Sequence, residues 1–561
     1  MDNMIFNPLE DYEKTLKSAH SANVEGFFKE LEEKARVNVE ENRATVAKYN
    51  AQREKADSVK KKAGLLKGLR ITAIVFMVLS VLIGILMFVM EQVLPGILLL
   101  VFAVALLVVV LVVLNPRIKN LNQLFDKENA AAEQLLQTCW QQMAPLNKLF
   151  DAWDGIALLE KTIPKFDFLP HFPVSQEKDM VDNYNFDTYE EEEESVLDTL
   201  SGTYNSNPFL YERRLVHQMG VETYHGQKTI HWTETYTDSN GRRQTRRRSQ
   251  TLHATVTKPK PFYHTETKLH YGAQAGPDLS FSRENKHLED KSDRAIEAMV
   301  RKGEKKLQKK AEKSLENNQN FMGMTNTEFD VLFDALDRDH EVQFRLLFTP
   351  LAQTNMVDLL RSETGYGDDF DFYKRRRMNT IVTEHSQNRE LLLQPKTLQS
   401  YDYDELKTKF MDHHNEYFKS IYFDFAPLLA LPVYQERPVH SLHPLPENYQ
   451  RYTIREYEVL ANAMDSRQLC HPQSRTKAIL KATHASSKDS TDTVRISAYS
   501  YDTIPRVDVV YMRGGDGRMH GVPVHWQEYI PLEAHHELLI NTSSENASIH
   551  KHGLYARVSK S

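Results

Sequence analysis

Two apolar runs without a single ionisable side chain, Ile71–Met90 and Ile97–Leu114, stand almost end to end in a chain that is otherwise densely polar. Each is long enough for a helix rising about 1.5 Å per residue to cross a hydrocarbon core about 30 Å thick. Only Glu91, Gln92, Val93, Leu94, Pro95 and Gly96 separate them. Pro-Gly marks a turn, so the pattern predicts a two-helix transmembrane hairpin over 70–115. Leu, Ile, Val and Phe each favour insertion by about 0.3–0.6 kcal/mol at a helix centre. The absence of charge inside either run predicts an anchor, not an ion pathway. A hairpin stored in a soluble pore-forming domain is the competing reading; a signal peptide would not be followed by a second span.

The flanks are amphipathic. Val24, Phe28, Leu31, Ala35, Val39, Asn42, Val46, Tyr49 and Ala56 recur at spacings of three and four, which predicts one long helix from about Leu9 to Leu66 within 1–69. Ile118, Leu121, Phe125, Ala132, Leu135, Cys139, Leu146 and Leu149 repeat the rhythm within 116–162. Two such helices leaving one hairpin on the same side predict an antiparallel coiled-coil stalk, with Asn42 and Arg53 as polar register positions. Lys60, Lys61, Lys62, Lys67 and Arg70 precede the first run, and Arg117 and Lys119 follow the second. The turn carries only Glu91, so the positive-inside rule predicts that both termini are cytoplasmic.

Beyond the stalk the period shifts. Residues 163–200 begin with Pro164, Pro170 and Pro173, and Ser175–Ser195 with its Glu190–Glu194 run reads as an acidic linker. Residues 201–283 are β-rich. Thr229–Thr237 and Thr251–Thr257 alternate around Asp238, Ser239, Asn240 and Gly241, and Asn-Gly favours a type I′ turn, predicting a hairpin over 228–257. Pro259 and Pro261 are expected to stop its second strand. A Lys/Glu-rich helix is expected within 284–320. In 321–450 the pattern predicts strands at Phe329–Leu336, Glu341–Thr349, Met378–His385 and Arg389–Leu393, and helices at Pro350–Leu360 and Tyr403–Ser420. In 451–561 it predicts a helix to about Met464, then strands at Lys477–Thr483, Thr493–Tyr501, Arg506–Arg513 and Val522–Ile530. The predicted fold class is an α+β membrane protein: a transmembrane hairpin, a coiled-coil stalk and cytoplasmic mixed α/β modules.

The segment Phe329–Leu360, with Phe348, Thr349 and Pro350 and the Leu359/Leu360 pair, resembles an uncharacterised bacterial family of double-spanning membrane proteins. The resemblance implies an N-terminal membrane hairpin, a cytoplasmic α+β module and a bacterial cell membrane. It implies no activity.

Composition narrows the chemistry. The net charge of −7 over 561 residues gives no general drive toward nucleic acid. Two cysteines, Cys139 and Cys470, exclude a disulfide framework and a Cys-rich zinc module. The 23 histidines form no HExxH, and neighbours such as His413/His414, His440/His443 and His535/His536 diverge on a helix or strand, so no metal or cofactor site is expected. The Gly-rich 513–517 stretch lies between strands with no helix to receive a phosphate, and reads as a turn. Glu384 and His385, followed by Asn388 and Arg389, are the most enzyme-like cluster but lack a recognisable nucleophile.

The most distinctive surface feature is arginine. Arg242, Arg243, Arg246, Arg247 and Arg248 crowd one arm of the hairpin, and alternation sends Arg246 and Arg248 to one face and Arg243 and Arg247 to the other. They read as a charged edge that blocks aggregation, neutralised by Glu190–Glu194, as a contact for anionic lipid, or as a nucleic-acid contact aided by Trp232, Tyr236 and Tyr224. Nucleic acid is the least favoured. The expected role is a membrane-anchored cytoplasmic scaffold that meets a protein partner or a second copy of itself and, through the arginines, anionic lipid. The alternative is a membrane-associated enzyme built on Glu384, His385 or the His-rich C-terminal strands.

Overall fold

The structure, a computed structural model, describes residues 4–188, 193–237, 241–317, 321, 323–438, 452–464, 466–488, 491–541 and 556–559. It is mixed α+β and divides into two compact units, Ser21–Asp154 with Gln394–Asn415, and the remaining described residues.

In the first unit the amphipathic periodicity becomes helix, but not one helix. Lys17–Ala35 ends at Arg36, which takes φ 50°. A new helix then starts at Val39, capped by the Asn38 side chain accepting from the Glu41 N–H at 3.2 Å. An Asn able to cap interrupts a helix without disturbing the apolar spacing that predicted continuity. Among the described residues, Val39–Val89 and Val93–Asn147 are the two helices long and apolar enough to cross a membrane, and only 11% and 17% of their most apolar windows are buried. Where they approach, a Cβ on Gly96 would lie 3.2 Å from the Gly84 carbonyl oxygen and 3.1 Å from the Phe88 ring, a tight contact that a larger residue would fit only if these neighbours gave by a few tenths of an ångström.

Further along, the two helices run antiparallel. Gln142 donates to Thr45 Oγ1 at 3.1 Å, Arg53 to Asn129 at 3.0 Å and Arg70 to Asn115 at 3.4 Å. Phe28, Leu31, Val46, Ala56, Ala132, Cys139, Met143 and Leu146 are buried, and Phe28 packs against Phe410. Asn42 is fully buried: its side chain accepts from the Tyr403 N–H and donates to the Tyr401 carbonyl, both at 3.0 Å. Arg53, by contrast, is half exposed beside Asp57. Of the two polar positions, only Asn42 sits in the packed seam.

The second unit holds two antiparallel sheets. Strands β1 (Phe166–Leu169), β2 (Glu194–Tyr204), β3 (Asn207–Thr237), β4 (Arg243–Gly272), β5 (Ser280–Arg283), β6 (Phe370–Arg375) and β7 (Met378–Thr383) form a sheet in the order β1-β2-β3-β4-β7-β6-β5. Strands β8 (Ile479–Lys488), β9 (Thr491–Arg513), β10 (Met519–Asn541) and β11 (Ala556–Ser559) form the other, in the order β11-β10-β9-β8.

Several expectations are corrected. The 175–195 segment holds the helix Val174–Tyr184, with Met180 and Tyr184 buried, and the start of β2. Glu190–Glu192 lie outside the described residues, as do Asp238–Asn240 of the hairpin turn and the His440/His443 pair. The two strands expected around the acidic turn are the helices Thr327–Phe333 and Glu341–Leu347. Their aromatic richness mimics a strand, yet Phe329/Phe333 and Phe344/Phe348 sit four apart and pack at 5.1 and 4.6 Å, a helical pairing. Arg389–Leu393 is irregular, not a strand. Pro350–Leu360 is helical as expected, and the Tyr403 helix runs on to Leu429. β4 continues through Pro259 and Pro261, which pair with Val221 and Met219. There β4 has only β3 beside it, since β7 joins at Lys268–Gly272, so a missing N–H on the open side breaks no ladder bond. Likewise the strands expected at Thr493–Tyr501 and Arg506–Arg513 are one, with Pro505 opposite Gln527.

Candidate anionic-surface interface

The β3–β4 pair has two unlike halves. Between Phe209 and Val216, β3 is flanked by β2 and β4 and lies in the core. Past Val216 the sheet partner β2 is gone and the two strands continue alone as a ribbon to Thr237 and Arg243. A lone two-stranded ribbon is marginal in water. Here the long β9–β10 hairpin packs against one of its faces. Ile230, Leu252, Ala254, Val522 and Val524 are buried between the two ribbons, with Tyr224, Trp232, Val256 and Val510 packed around them. A Cβ on Gly226 would stand 2.2 Å from the Pro523 carbonyl oxygen, so this closeness requires glycine. Lys258 bridges to Asp508 at 2.7 Å and lies over the Trp526 ring, and Lys228 donates to the Gly521 carbonyl at 3.0 Å. The result is a double-ribbon arm.

The arm's tip is basic. Arg242, Arg243, Arg246, Arg247 and Arg248 are all exposed. Arg248 pairs with Glu234 at 3.0 Å across the ribbon, while Arg243, Arg246 and Arg247 have no ion-pair partner among the described residues. The register sets Arg248 opposite Trp232, Arg247 opposite Thr233 and Arg246 opposite Glu234, so the alternation expected from the sequence places Arg246 and Arg248 on the Trp232 side. The second ribbon turns beside them. The Gly514–Gly517 turn closes by a Gly517 N–H to Gly514 carbonyl bond, and the Gly515 N–H donates to Gln250 at 2.7 Å. Arg513 and Arg518, both exposed, flank that turn. Its one carboxylate, Asp516, is held by His520 at 2.9 Å. Two basic tips thus meet, a juxtaposition invisible to sequence because it depends on one hairpin docking on another.

Two readings of the arginines change. Glu194 cannot neutralise them: it pairs with Val216 in the ladder, at the buried end of β3, and its carboxylate binds Arg214 at 2.6 Å. Trp232 and Tyr224, the proposed stacking residues, are packed between the ribbons, leaving only Tyr236 exposed.

The Glu384/His385 cluster is also resolved. His385 bonds Asp369 through Nδ1 and reaches Asp424 at 3.2 Å through Nε2, while its ring stacks on Tyr366 at 3.7 Å. Asp424 further accepts from Arg389 at 2.6 Å and from the Tyr211 hydroxyl at 2.8 Å. Burial alone would lower the His385 pKa; the two aspartates outweigh it and raise it to about 9. Burial would likewise raise the Asp424 pKa, but Arg389 and His385 hold it well below the usual carboxylate range. Two carboxylates facing an imidazolium and a guanidinium form a charge-balanced cluster that ties β3 and β7 to the Tyr403–Leu429 helix. Both His385 nitrogens are engaged, so it offers no free base. Glu384 points elsewhere, toward Asn285 at 2.8 Å and His287 at 3.6 Å. Exposed His287, Glu289 and Asp290 bring three potential ligand atoms together, a group too solvated to define a metal site on its own.

Comparison of the chain with protein-family models, with curated proteins and with solved structures finds no match.

Proposed function

We propose that this chain is a membrane-anchored cytoplasmic interaction protein. It crosses the bilayer twice, extends a coiled-coil stalk from the hairpin, and uses the tip of its double-ribbon arm to engage an anionic surface. The apolar exteriors of Ile71–Met90 and Ile97–Leu114 support the anchor, since lipid is the solvent in which such surfaces are favourable. The basic flanks and the uncompensated turn support cytoplasmic termini. The antiparallel pairs from Thr45/Gln142 to Arg70/Asn115 support the stalk.

The observation that carries the arm's role is the exposure of Arg243, Arg246 and Arg247, which have no ion-pair partner among the described residues, joined by Arg513 and Arg518 from the second ribbon. Anionic lipid is favoured over nucleic acid because two of the three aromatic side chains that would stack on bases, Trp232 and Tyr224, are occupied within the arm. Each Arg near an anionic membrane contributes about 1 kcal/mol. The full chain, reconstituted in phosphatidylcholine nanodiscs, should therefore capture phosphatidylserine-containing vesicles at low salt. The triple variant Arg243→Ala, Arg246→Ala, Arg247→Ala should lose about 3 kcal/mol of that binding, roughly a hundredfold. Equal capture by the variant, or no dependence on salt, would remove the arm from the account.

A further inference from the structure

The arm has an outer face that its basic tip does not account for. Beyond Tyr499, where β8 ends its pairing, β9 and β10 run on alone to the Gly514–Gly517 turn. Alternation divides their side chains between two faces. Val510, Val522 and Val524 point toward the first ribbon and pack in or around the core between the two. Val507, Val509, Tyr511 and Arg513 take the opposite face, where the ladder sets them across from His525, Pro523, Gly521 and Met519 in turn. That face is open. Val507 is 52% exposed, Val509 53%, Met519 60% and Tyr511 67%. Gly521 makes it continuous: a Cβ there would lie 2.6 Å from Val509 Cγ1 and 3.7 Å from the Tyr511 ring, so both side chains lie over the glycine. None of these positions is acidic, and Arg513 and Arg518 stand at the tip end.

The first ribbon's outer face shows what exposure to water ordinarily asks. There Thr223 bonds Thr257 and Thr229 bonds Thr251 across the strands at 3.2 and 3.1 Å, with His225, His231 and Arg247 on the same side. The two outer faces belong to one arm, yet one is polar and the other apolar. Single apolar side chains on a surface are ordinary. A row of them in register on an unpaired ribbon is an aggregation hazard in water, and so marks a contact.

The adjoining charge selects the occupant. A free polyanion or a nucleic acid would meet the arginines and leave the valines in water. An apolar protein groove would cover Arg513 without a counter-charge. An anionic bilayer offers phosphate at one depth and hydrocarbon just below it. Resting on the reading that the arm's tip meets an anionic surface, we propose that the outer face of the β9–β10 ribbon inserts into the lipid. Val507, Val509, Met519 and the Tyr511 ring enter the boundary between headgroups and acyl chains, while Arg513 and Arg518 hold lipid phosphates. Tyrosine suits that depth, its ring in hydrocarbon and its hydroxyl among the headgroups. The ribbon then lies along the leaflet and does not stand on its tip. Arg246 is on the side of the first ribbon that faces the second, past the level of Gln250 where the Gly514–Gly517 turn docks, and so faces the same leaflet.

The test uses the full chain in phosphatidylcholine nanodiscs, with Cys139 and Cys470 replaced and a single new cysteine carrying a nitrobenzoxadiazole dye. Vesicles of phosphatidylserine and phosphatidylcholine, part of the latter spin-labelled near the glycerol end of its acyl chain, are added at low salt. The dye on Val509→Cys should lose most of its emission. The dye on Thr229→Cys, on the polar outer face beside Lys228, which bonds Gly521, should keep it. The combined variant Val507→Thr, Val509→Thr, Tyr511→Thr retains β-branched strand formers, and should weaken vesicle capture about tenfold without changing its dependence on salt. Capture that depends on Arg243, Arg246 and Arg247 with no quenching at Val509→Cys, or with full capture by the threonine variant, would overturn this inference and leave the tip's role standing. No capture by the unaltered chain would remove both. A blue shift at Val509→Cys that grows with protein concentration before vesicles are added would assign the face to a second copy of the chain, and would equally overturn it.

Discussion

The same two strands, β3 and β4, behave as different materials at their two ends. At the inner end the charges are buried and each is matched. Glu212 is fully buried among Arg214, Arg455 and His270, and Arg214 also meets Glu194 at 2.6 Å. At the outer end the arginines are exposed, and Arg243, Arg246 and Arg247 have no ion-pair partner among the described residues. The inner charges are parts of the fold, because removing one leaves a partner stranded without water. The outer ones contribute little to folding, because water already satisfies them. What they are good for must lie outside the chain. The distinction rests on physical cost, and it can be attacked from both ends.

The largest effect belongs to the inner end. Arg455→Ala removes the guanidinium that serves Glu212 and Glu177, and should cost about 3–5 kcal/mol, read as a fall in the denaturant midpoint of the unit that holds the two sheets. Retention of the wild-type midpoint would mean that the buried network is not a structural element.

The second effect appears in pH. Burial raises the Glu456 pKa to about 7, while its carboxylate accepts from the Phe172 N–H and the Thr199 hydroxyl. An acid whose folded pKa exceeds its unfolded value stabilises the fold below the unfolded value and loses that contribution as pH rises through the folded one. Stability should thus decline between about pH 4.5 and pH 7 by up to about 3 kcal/mol, and Glu456→Gln should flatten that decline. His385 acts in the next window. Its folded pKa of about 9 lies above the value of 6.5 for a free imidazole, so its contribution is complete below pH 6.5 and lost by about pH 9. A chain that gains stability across pH 6.5–9, or a His385→Gln variant with the same slope, would contradict this.

A third, intermediate effect tests the middle of the arm. Ile230→Ala opens the core between the ribbons and should cost about 2–4 kcal/mol. Because that core is local, the loss should show as faster hydrogen exchange in the arm's amides while the β2–β3 core keeps its protection. Equal acceleration in both would mean that the arm and the inner sheet form one cooperative block. The smallest effect belongs to the tip: the Arg243, Arg246, Arg247 triple variant should change the unfolding midpoint by less than about 0.5 kcal/mol while binding anionic vesicles far less. A large stability loss there would turn the arginines back into structural parts.

The sequence made some of this legible and hid the rest for physical reasons. The apolar helices are plain because lipid asks for one uniform property over many consecutive residues. The β3–β4 hairpin is plain because a local Asn-Gly turn and strict alternation coincide. The helix from Pro350 to Leu360 shows itself through Pro at its first position. What stayed hidden depends on distant partners. Pro259 and Pro261 read as strand breakers because nothing local says that their edge is unpaired. Phe329–Leu336 read as a strand because five buried residues in succession, Phe329–Phe333, hide the helical period. Arg513 and Arg518 joined the arginine cluster only through the docking of a second hairpin. His385 looked catalytic because Asp424, which neutralises it, comes from a remote helix.

All of this assumes that the anchor's flanks, and with them the arm and the core, share one compartment. The direct measurement is labelling of single cysteines, in a background where Cys139 and Cys470 are replaced, by a membrane-impermeant maleimide added to intact cells. Glu91→Cys, in the turn, should react from outside, and Lys62→Cys, in the basic flank, should react only after the cells are opened. Labelling of Lys62→Cys from outside, or of neither position in a chain that washes free of the membrane, would contradict the account.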